Sequence, residues 1–259
     1  MHSVGIDIGS TSAKVAVFDT NESRFLEFFI MPTGWSTAQT AKDIFEKIKS
    51  LNLKETFFVA TGYGRVSVPY ANKTITEITC HALGAHHLFS KDCTVIDIGG
   101  QDTKAIKLEY GAVSDFTMND KCSAGTGKFL EVMSNRLGVS FEELTALARN
   151  SDQEVAISSM CTVFAESEII SLIAQNISRE NIANAVINSA VNKISNLVKK
   201  QSNTLYFLSG GFSKNSYVKE CLQKALQSEV ATHENAIYCG SIGAALIGAK
   251  DQRRENGTK

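Results

Sequence analysis

A nine-residue motif occurs twice in this chain and limits its possible folds more than any other feature. Residues 6–14 read IDIGSTSAK and residues 96–104 read IDIGGQDTK, with five of the nine positions identical. Each copy has an apolar strand that includes an acidic residue, a turn of small polar residues and a second apolar strand, which is the pattern of a β-hairpin. The repeat therefore predicts two similar lobes that each contain one hairpin.

The order of elements after each hairpin also repeats, with strands first and helices later. A third strand is predicted after each hairpin, at residues 25–30 and 113–118, and short buried strands are predicted at 57–60 and 204–208. Helical periodicity of apolar residues appears in six segments: 38–51, 126–137, 162–176, 182–198, 215–226 and 241–249.

The repeat also predicts where the chain divides. The N-terminal lobe is expected at residues 1–90, completed by a C-terminal helix at 241–259, and the C-terminal lobe at residues 91–240. Because no tract rich in Gly, Ser and Pro separates the halves, we expect the two lobes to touch closely.

Composition is that of an ordinary globular protein. The 259 residues are 43% hydrophobic and 20% charged, which excludes a disordered or fibrous protein. A formal net charge of -1 offers no basic surface to nucleic acid or to an anionic membrane. No segment reaches the roughly 20 apolar residues of a membrane span, and the N-terminus lacks a signal-peptide core. We therefore expect a cytoplasmic protein that binds neither nucleic acid nor membrane.

The two hairpin turns have the chemical groups that a nucleoside triphosphate requires. In the first copy, a glycine permits close approach of the backbone, and N–H groups, hydroxyls and a lysine can bind phosphate oxygens: Gly9, Ser10, Thr11, Ser12, Ala13 and Lys14. Gly99, Gly100 and Gln101 are the matching candidates in the second copy. Among catalytic candidates, Asp7 can hold a hydrated Mg²⁺, and Asp97 can position the attacking water or Mg²⁺. Gln101 is a third catalytic candidate.

A third glycine motif follows the last predicted strand, as Ser209-Gly210-Gly211. The chain has neither a Walker loop nor a dinucleotide-binding GxGxxG. Two hairpins of this type and a strand-Gly-Gly-helix motif resemble the actin-like (ribonuclease H-like) ATPase superfamily. The resemblance implies an α/β fold of duplicated lobes, with mixed five-stranded sheets flanked by helices, that close on ATP. It also implies contacts with adenosine from Gly210, Gly211, Asn215 and Gly240.

Two of the six cysteines stand out by their surroundings. None of the six forms a CxxC pair, and four of them are interpreted as core residues: Cys80, Cys93, Cys221 and Cys239. Cys122 and Cys161 instead lie in polar sequence near predicted helix starts, where free N–H groups favour a thiolate. Two thiolates are half of the ligands of a [4Fe-4S] cluster, so a two-fold dimer would supply all four. The alternative is a pair of ordinary buried cysteines.

These motifs together resemble the activator components of 2-hydroxyacyl-CoA dehydratases, a family that includes ATP-binding subunits of benzoyl-CoA reductases. The resemblance is carried by six segments: 4–14, 60–65, 95–104, 118–127, 161–168 and 209–211. It implies an oxygen-sensitive homodimer with one [4Fe-4S] cluster held by Cys122 and Cys161 of each chain. It also implies ATP- and Mg²⁺-dependent transfer of one electron from a ferredoxin or flavodoxin to an acyl-CoA dehydratase or reductase.

Two other functions are compatible with the same fold. A small-metabolite kinase of the sugar-kinase type would need a substrate pocket between the lobes and no iron, and an actin-like scaffold would need polymer contacts. Three histidines, His81, His86 and His87, lack the carboxylate pattern of a metal site, which we therefore do not expect. Lys14 and Lys104 are candidates for phosphate ligands or for exposed strand residues, with Lys14 favoured as a ligand.

Overall fold

The computed structural model of the chain describes residues 1–159, 161–199 and 205–257. Its first sheet has five strands: β1 (His2–Ile8), β2 (Ser12–Asp19), β3 (Arg24–Pro32), β4 (Thr56–Thr61) and β5 (Lys73–Thr74). Their order in the sheet is β3-β2-β1-β4-β5. The sheet is mixed, because β1 pairs antiparallel with β2 and parallel with β4.

The second sheet repeats this plan. It also has five strands: β6 (Thr94–Ile98), β7 (Thr103–Glu109), β8 (Ala112–Asn119), β9 (Tyr206–Gly210) and β10 (Val230–Ala231). Their order is β10-β9-β6-β7-β8, with β6 antiparallel to β7 and parallel to β9. The prediction of two mixed five-stranded sheets is confirmed. Thr204, the first residue of the strand predicted at 204–208, lies outside the described residues.

The two predicted hairpins have the same register. Asp7 pairs with Lys14 across the first hairpin, and Asp97 pairs with Lys104 across the second. Both turns are closed by a backbone hydrogen bond from the glycine N–H to the carbonyl three residues later, at 3.2 Å in the first copy and 2.9 Å in the second. In each sheet, an Asp-Ile-Gly motif therefore lies at the same end of the central strand.

Eight helices lie around the sheets within the described residues: α1 (Thr37–Ser50), α2 (Glu77–Phe89), α3 (Gly127–Leu137), α4 (Phe141–Arg149), α5 (Thr162–Ala174), α6 (Arg179–Val198), α7 (Ser216–Leu226) and α8 (Cys239–Gly257). All six predicted helical segments overlap one of them. Helix α4 is not predicted. Ser140 and Glu143 form a capping box at its start, and the spacing of these two residues is a helix-start signal in the sequence. None of these helices is both long and apolar enough to cross a bilayer.

Helices α2 and α8 lie where the two halves of the chain meet. Ile242 and Ala245 of α8 pack on β2 of the first sheet. Ala82 and Ala85 of α2 pack on the second sheet, and Cys80 of α2 packs with α8. The predicted lobe limits, 1–90 with 241–259 and 91–240, stay a proposal, and residues 258–259 lie outside the described residues.

Candidate functional site

A cleft of about 780 Å³ opens between the two hairpin turns. It is lined by most of the residues predicted to bind nucleotide or to act in catalysis: Asp7, Gly9, Ser10, Thr11, Ser12, Lys14, Asp97, Gly99, Gly100, Gln101, Gly210 and Gly211. The turns approach each other at Gly100, where a side-chain Cβ would collide with Thr11 Oγ1 and lie 3.1 Å from Ser10 Oγ. The absence of a side chain at Gly100 therefore allows both turns to face the same space.

Three predicted nucleotide contacts lie outside the lining of the cleft. Ala13 is a fully buried residue of β2. Asn215 caps α7, where its side-chain oxygen accepts a hydrogen bond from the N–H of Val218 at 3.0 Å. Gly240 is in the first turn of α8, and a Cβ there would lie 2.5 Å from Asp7 Oδ2 and 2.9 Å from His81 Nε2. Gly240 thus makes room for two side chains of the cleft.

The acidic residues of the two hairpins are both buried and share one neighbour. His81 of α2 lies between them, with Nε2 3.7 Å from Asp7 Oδ2 and Nδ1 3.4 Å from Asp97 Oδ1. Burial would raise the pKa of Asp7, but the nearby His81 and the charge of Lys14 hold that pKa below the ordinary value. Burial likewise opposes ionisation of Asp97, whose pKa is lowered by His81 and Lys104.

The two lysines of the hairpins have different environments. Lys104 is buried and lies close to three carboxylates: 2.8 Å from Asp102, 3.0 Å from Glu77 and 3.5 Å from Asp97. Burial alone would lower the pKa of Lys104, but these carboxylates raise it above its ordinary value. Lys104 is therefore not an exposed strand residue. Lys14 is half-buried, and its Nζ donates a hydrogen bond to the Ser12 carbonyl at 3.2 Å.

The two cysteine-containing loops lie side by side. Cys122 is half-buried in the loop between β8 and α3, whereas Cys161 is exposed at the N-cap of α5. Ser123 and Thr162, the residues that follow these cysteines, share a hydrogen bond of 2.7 Å between their hydroxyl oxygens. Asn119 Nδ2 also donates to the Cys122 carbonyl at 2.9 Å. The fold therefore brings together both predicted iron-sulfur ligands.

The segment before Cys161 is held by a carboxylate of α5. Glu168 accepts hydrogen bonds from the backbone N–H groups of Ser158 at 3.0 Å and Ser159 at 3.1 Å. Burial would raise the pKa of Glu168, but these donors lower it below its ordinary value. On the same helix, Glu166 forms an ion pair with Arg136 of α3. The first contacts hold the segment before Cys161 against α5, and the ion pair joins the start of α5 to the last turn of α3.

The second phosphate turn is also joined to the Cys122 loop by hydrogen bonds. The carbonyls of Gly99 and Gly100 accept from the first two N–H groups of α3, at 2.9 and 2.8 Å. Thr103 Oγ1, at the start of β7, donates to the Gly125 carbonyl at 2.7 Å, and Thr126 Oγ1 donates to the Ser123 carbonyl at 2.7 Å. The second turn and the loop that contains Cys122 are therefore connected by hydrogen bonds.

Known proteins that resemble this chain in sequence and in fold show which family it belongs to. A model of the BadF/BadG/BcrA/BcrD ATPase family matches residues 4–248. The chain belongs to this ATPase family. The (R)-2-hydroxyglutaryl-CoA dehydratase activating ATPase of Acidaminococcus fermentans is 38% identical over 255 residues, which cover 96% of this chain and 98% of that relative. The activator of lactoyl-CoA dehydratase of Anaerotignum propionicum is 39% identical over 250 residues, covering 95% and 96%.

A solved structure gives the same result for the fold. The activator of the 2-hydroxyisocaproyl-CoA dehydratase from Clostridium difficile, with bound ADPNP, matches this member of the ATPase family with a TM-score of 0.91 and 34% identity. The match covers 100% of this chain and 98% of the solved one. The predicted family resemblance and the duplicated actin-like ATPase fold are both confirmed.

Two residues of α2 reach the cleft without having been predicted to do so. Glu77 contacts Lys104, and His81 contacts the two buried aspartates. The sequence contains one signal for this pair, because residues four positions apart lie on the same face of a helix. Periodicity cannot, however, show that this face of α2 is directed at the duplicated hairpins.

Proposed function

We propose that this ATPase is a homodimeric [4Fe-4S] protein that passes a low-potential electron from a ferredoxin or flavodoxin to an acyl-CoA dehydratase or related reductase, and so activates it. The names of the relatives support a dehydratase as partner. One observation on this chain carries the proposal: the turn at Gly99 and Gly100 is hydrogen-bonded to the helix that follows Cys122. These hydrogen bonds give the nucleotide cleft a structural connection to one of the two proposed cluster ligands.

Different residues of the cleft would have different roles in ATP hydrolysis. The turn of each hairpin would bind phosphate oxygens through backbone N–H groups, with Lys14 and the hydroxyls of Ser10 and Thr11 as further donors in the first copy. Asp7 would hold Mg²⁺ through water, since a buried ionised carboxylate is a suitable partner for a hydrated cation. Asp97 and Gln101 would orient the attacking water.

The opposite side of the cleft suits the nucleoside. Gly210 and Gly211 follow β9 and line the cleft beside Phe212 and Ile237. Apart from Gly211 and its two chain neighbours, none of the described residues has an atom within 4 Å of the position that a Cβ of Gly211 would take. This open, partly apolar surface supports contact with adenosine by Gly210 and Gly211, while Asn215 and Gly240 would act indirectly, through α7 and the Asp7 carboxylate.

The donor set of the paired loops fits an iron-sulfur cluster. Cys122 and Cys161 supply two thiols, and within the described residues no group of three or more His, Cys, Asp or Glu side chains is arranged to hold a metal. A [4Fe-4S] cluster needs four thiolates, so the same loops of a second copy would complete the set. The cluster, when bound, would supply a one-electron carrier.

The surface next to Cys161 supports the homodimer. Four large apolar residues of α5 are between 47% and 67% exposed: Val163, Phe164, Ile170 and Ile173. An exposed apolar patch of this kind is typical of a surface that another protein covers. Because Cys161 begins the same helix, a second copy that covers this patch would also bring its own thiols close.

The colour and iron content of the protein test this proposal. Protein purified anaerobically should be brown, and both Cys122→Ser and Cys161→Ser should abolish the colour and the bound iron. Cys221→Ser is the matched control, because Cys221 is half-buried against the core of the second half and should leave the cluster intact. Colourless wild-type protein after full iron supplementation would refute the cluster, and phosphoryl transfer to a sugar would favour the kinase instead.

A further inference from the structure

His81 joins the two halves of the active site. Asp7 comes from the first hairpin, Asp97 from the second, and His81 from the helix that lies between the two sheets. All three side chains are buried. Each ring nitrogen of His81 faces a different carboxylate, with Nε2 towards Asp7 and Nδ1 towards Asp97. The imidazole therefore occupies the space between the acidic residues of the duplicated motif.

The backbone of His81 is held firmly from both sides. Gly243 of α8 lies against the carbonyl of Cys80, and Gly84 of α2 lies against the carbonyl of Cys239, so close that a Cβ at either glycine would collide. One turn before His81, Glu77 forms an ion pair of 3.0 Å with Lys104. Helix α2 thus has little freedom to move relative to either aspartate.

The ring contacts both carboxylates without a hydrogen bond to either. The separations are 3.7 Å from Nε2 to Asp7 and 3.4 Å from Nδ1 to Asp97. Among the described residues, the buried Nδ1 has no hydrogen-bond partner. The imidazole therefore has one ring nitrogen directed at each aspartate and available to it.

We propose that His81 is a positioning residue for ATP hydrolysis, which sets the spacing of Asp7 and Asp97 across the cleft. The inference rests on the proposed roles of these aspartates in holding hydrated Mg²⁺ and the attacking water. Each aspartate belongs to a different hairpin, and His81 lies between them on a helix that packs closely against α8. His81 therefore holds the two carboxylates at a fixed separation across the cleft.

Steady-state ATPase measurements on three His81 variants test the inference. His81→Ala removes both ring nitrogens, His81→Asn keeps a nitrogen near the position of Nδ1, and His81→Gln keeps one near the position of Nε2. We expect His81→Ala to lower kcat about 100-fold, the scale on which small misplacements reduce rates, with little change in KM or in ADP affinity measured by calorimetry. His81→Asn and His81→Gln should each recover part of the loss.

His87→Gln is the matched control, since His87 lies on the same helix but is exposed on its far side. It should keep the wild-type kcat. All rates are compared at a temperature where thermal unfolding shows every variant to be folded. A merely structural role would lower the unfolding temperature of the His81 variants and leave kcat per folded molecule unchanged, which would overturn the inference.

Asp7→Asn and Asp97→Asn separate this inference from the proposed function. If both aspartate variants lose activity while His81→Ala keeps the wild-type kcat, the positioning role is wrong and the catalytic aspartates stand. If the aspartate variants keep the wild-type kcat, the proposed catalytic site is wrong and the role of His81 is rejected with it. Loss of kcat in all three, with partial recovery in His81→Asn and His81→Gln, supports both.

Discussion

The two copies of the hairpin have the same register and different neighbours. The first turn is supported from within its own half of the chain, where Thr33 Oγ1 donates to the Gly9 carbonyl at 2.8 Å and the Thr33 N–H donates to the Thr11 carbonyl at 3.1 Å. In the second copy, the carbonyls of Gly99 and Gly100 accept from the start of α3. One copy is attached to a strand end, the other to a cysteine loop.

This difference indicates how one duplicated motif can serve two purposes. The shared register gives two turns that face the same cleft from opposite sides, as binding of a triphosphate requires. The hydrogen bonds of the two turns differ. Within the described residues, only the second turn is hydrogen-bonded to the helix that follows Cys122. The first copy would chiefly bind the nucleotide. The second copy would bind it too and would also transmit the presence of the nucleotide to the cysteine thiols.

The largest expected difference between the copies concerns their lysines. Lys104→Met leaves Asp97, Asp102 and Glu77 without their buried cation and should lower the free energy of unfolding by about 3–5 kcal/mol. Lys14→Met removes a half-buried lysine and should cost less than about 1 kcal/mol while weakening ATP binding. Urea unfolding and nucleotide titration measure both effects. Equal losses of stability in the two variants would contradict the different environments of the lysines.

An intermediate effect is expected from one pair of threonines. Thr103→Val and Thr33→Val each remove one hydrogen bond that a hydroxyl donates to a glycine carbonyl, and each should lower the free energy of unfolding by about 1 kcal/mol. Only Thr103 contacts the Cys122 loop, through Gly125. Thr103→Val should therefore reduce the change that ATP causes in the rate of iron chelation, and Thr33→Val should preserve it. The same response in both variants would show that the second turn has no special connection.

The smallest effect concerns the other cysteine loop, which is held by Glu168. Because the folded-state pKa of Glu168 lies below its ordinary value of 4.5, its contribution to stability is complete above that pH and disappears as the pH falls through the folded pKa. Glu168→Gln should flatten this part of the acid unfolding profile. The difference should be under about 1 kcal/mol at neutral pH, since the carboxylate is partly exposed to solvent. Chemical denaturation between pH 3 and pH 7 measures it, and unchanged profiles would argue against the contact.

The repeated motif was sufficient to predict both hairpins, and the resemblance carried by it together with the other motifs implied the two mixed sheets and the family. It could not reveal the difference between Lys14 and Lys104, because the burial of Lys104 depends on Glu77, which belongs to a helix outside the repeat. His81 was missed for the same reason, since the approach of α2 to α8 depends on contacts between small residues and leaves no periodic pattern. Helix α4 was missed despite its capping box, because its apolar stripe is short.

Two residues that the superfamily resemblance implies as adenosine contacts, Asn215 and Gly240, stay predictions and lie outside the lining of the cleft. In the structure, Asn215 caps α7 and Gly240 leaves space for Asp7 and His81. A local motif identifies residues close to a site, but the side of the helix that meets the ligand depends on packing between distant parts of the chain.

The rate at which a chelator removes iron from the reduced protein, with and without ATP, tests the central claim most directly. The claim is that the second phosphate turn transmits nucleotide binding to the loop that contains Cys122. If so, ATP should make the iron-sulfur cluster more accessible and accelerate chelation severalfold in the wild-type dimer. Equal chelation rates with and without nucleotide would contradict the claim.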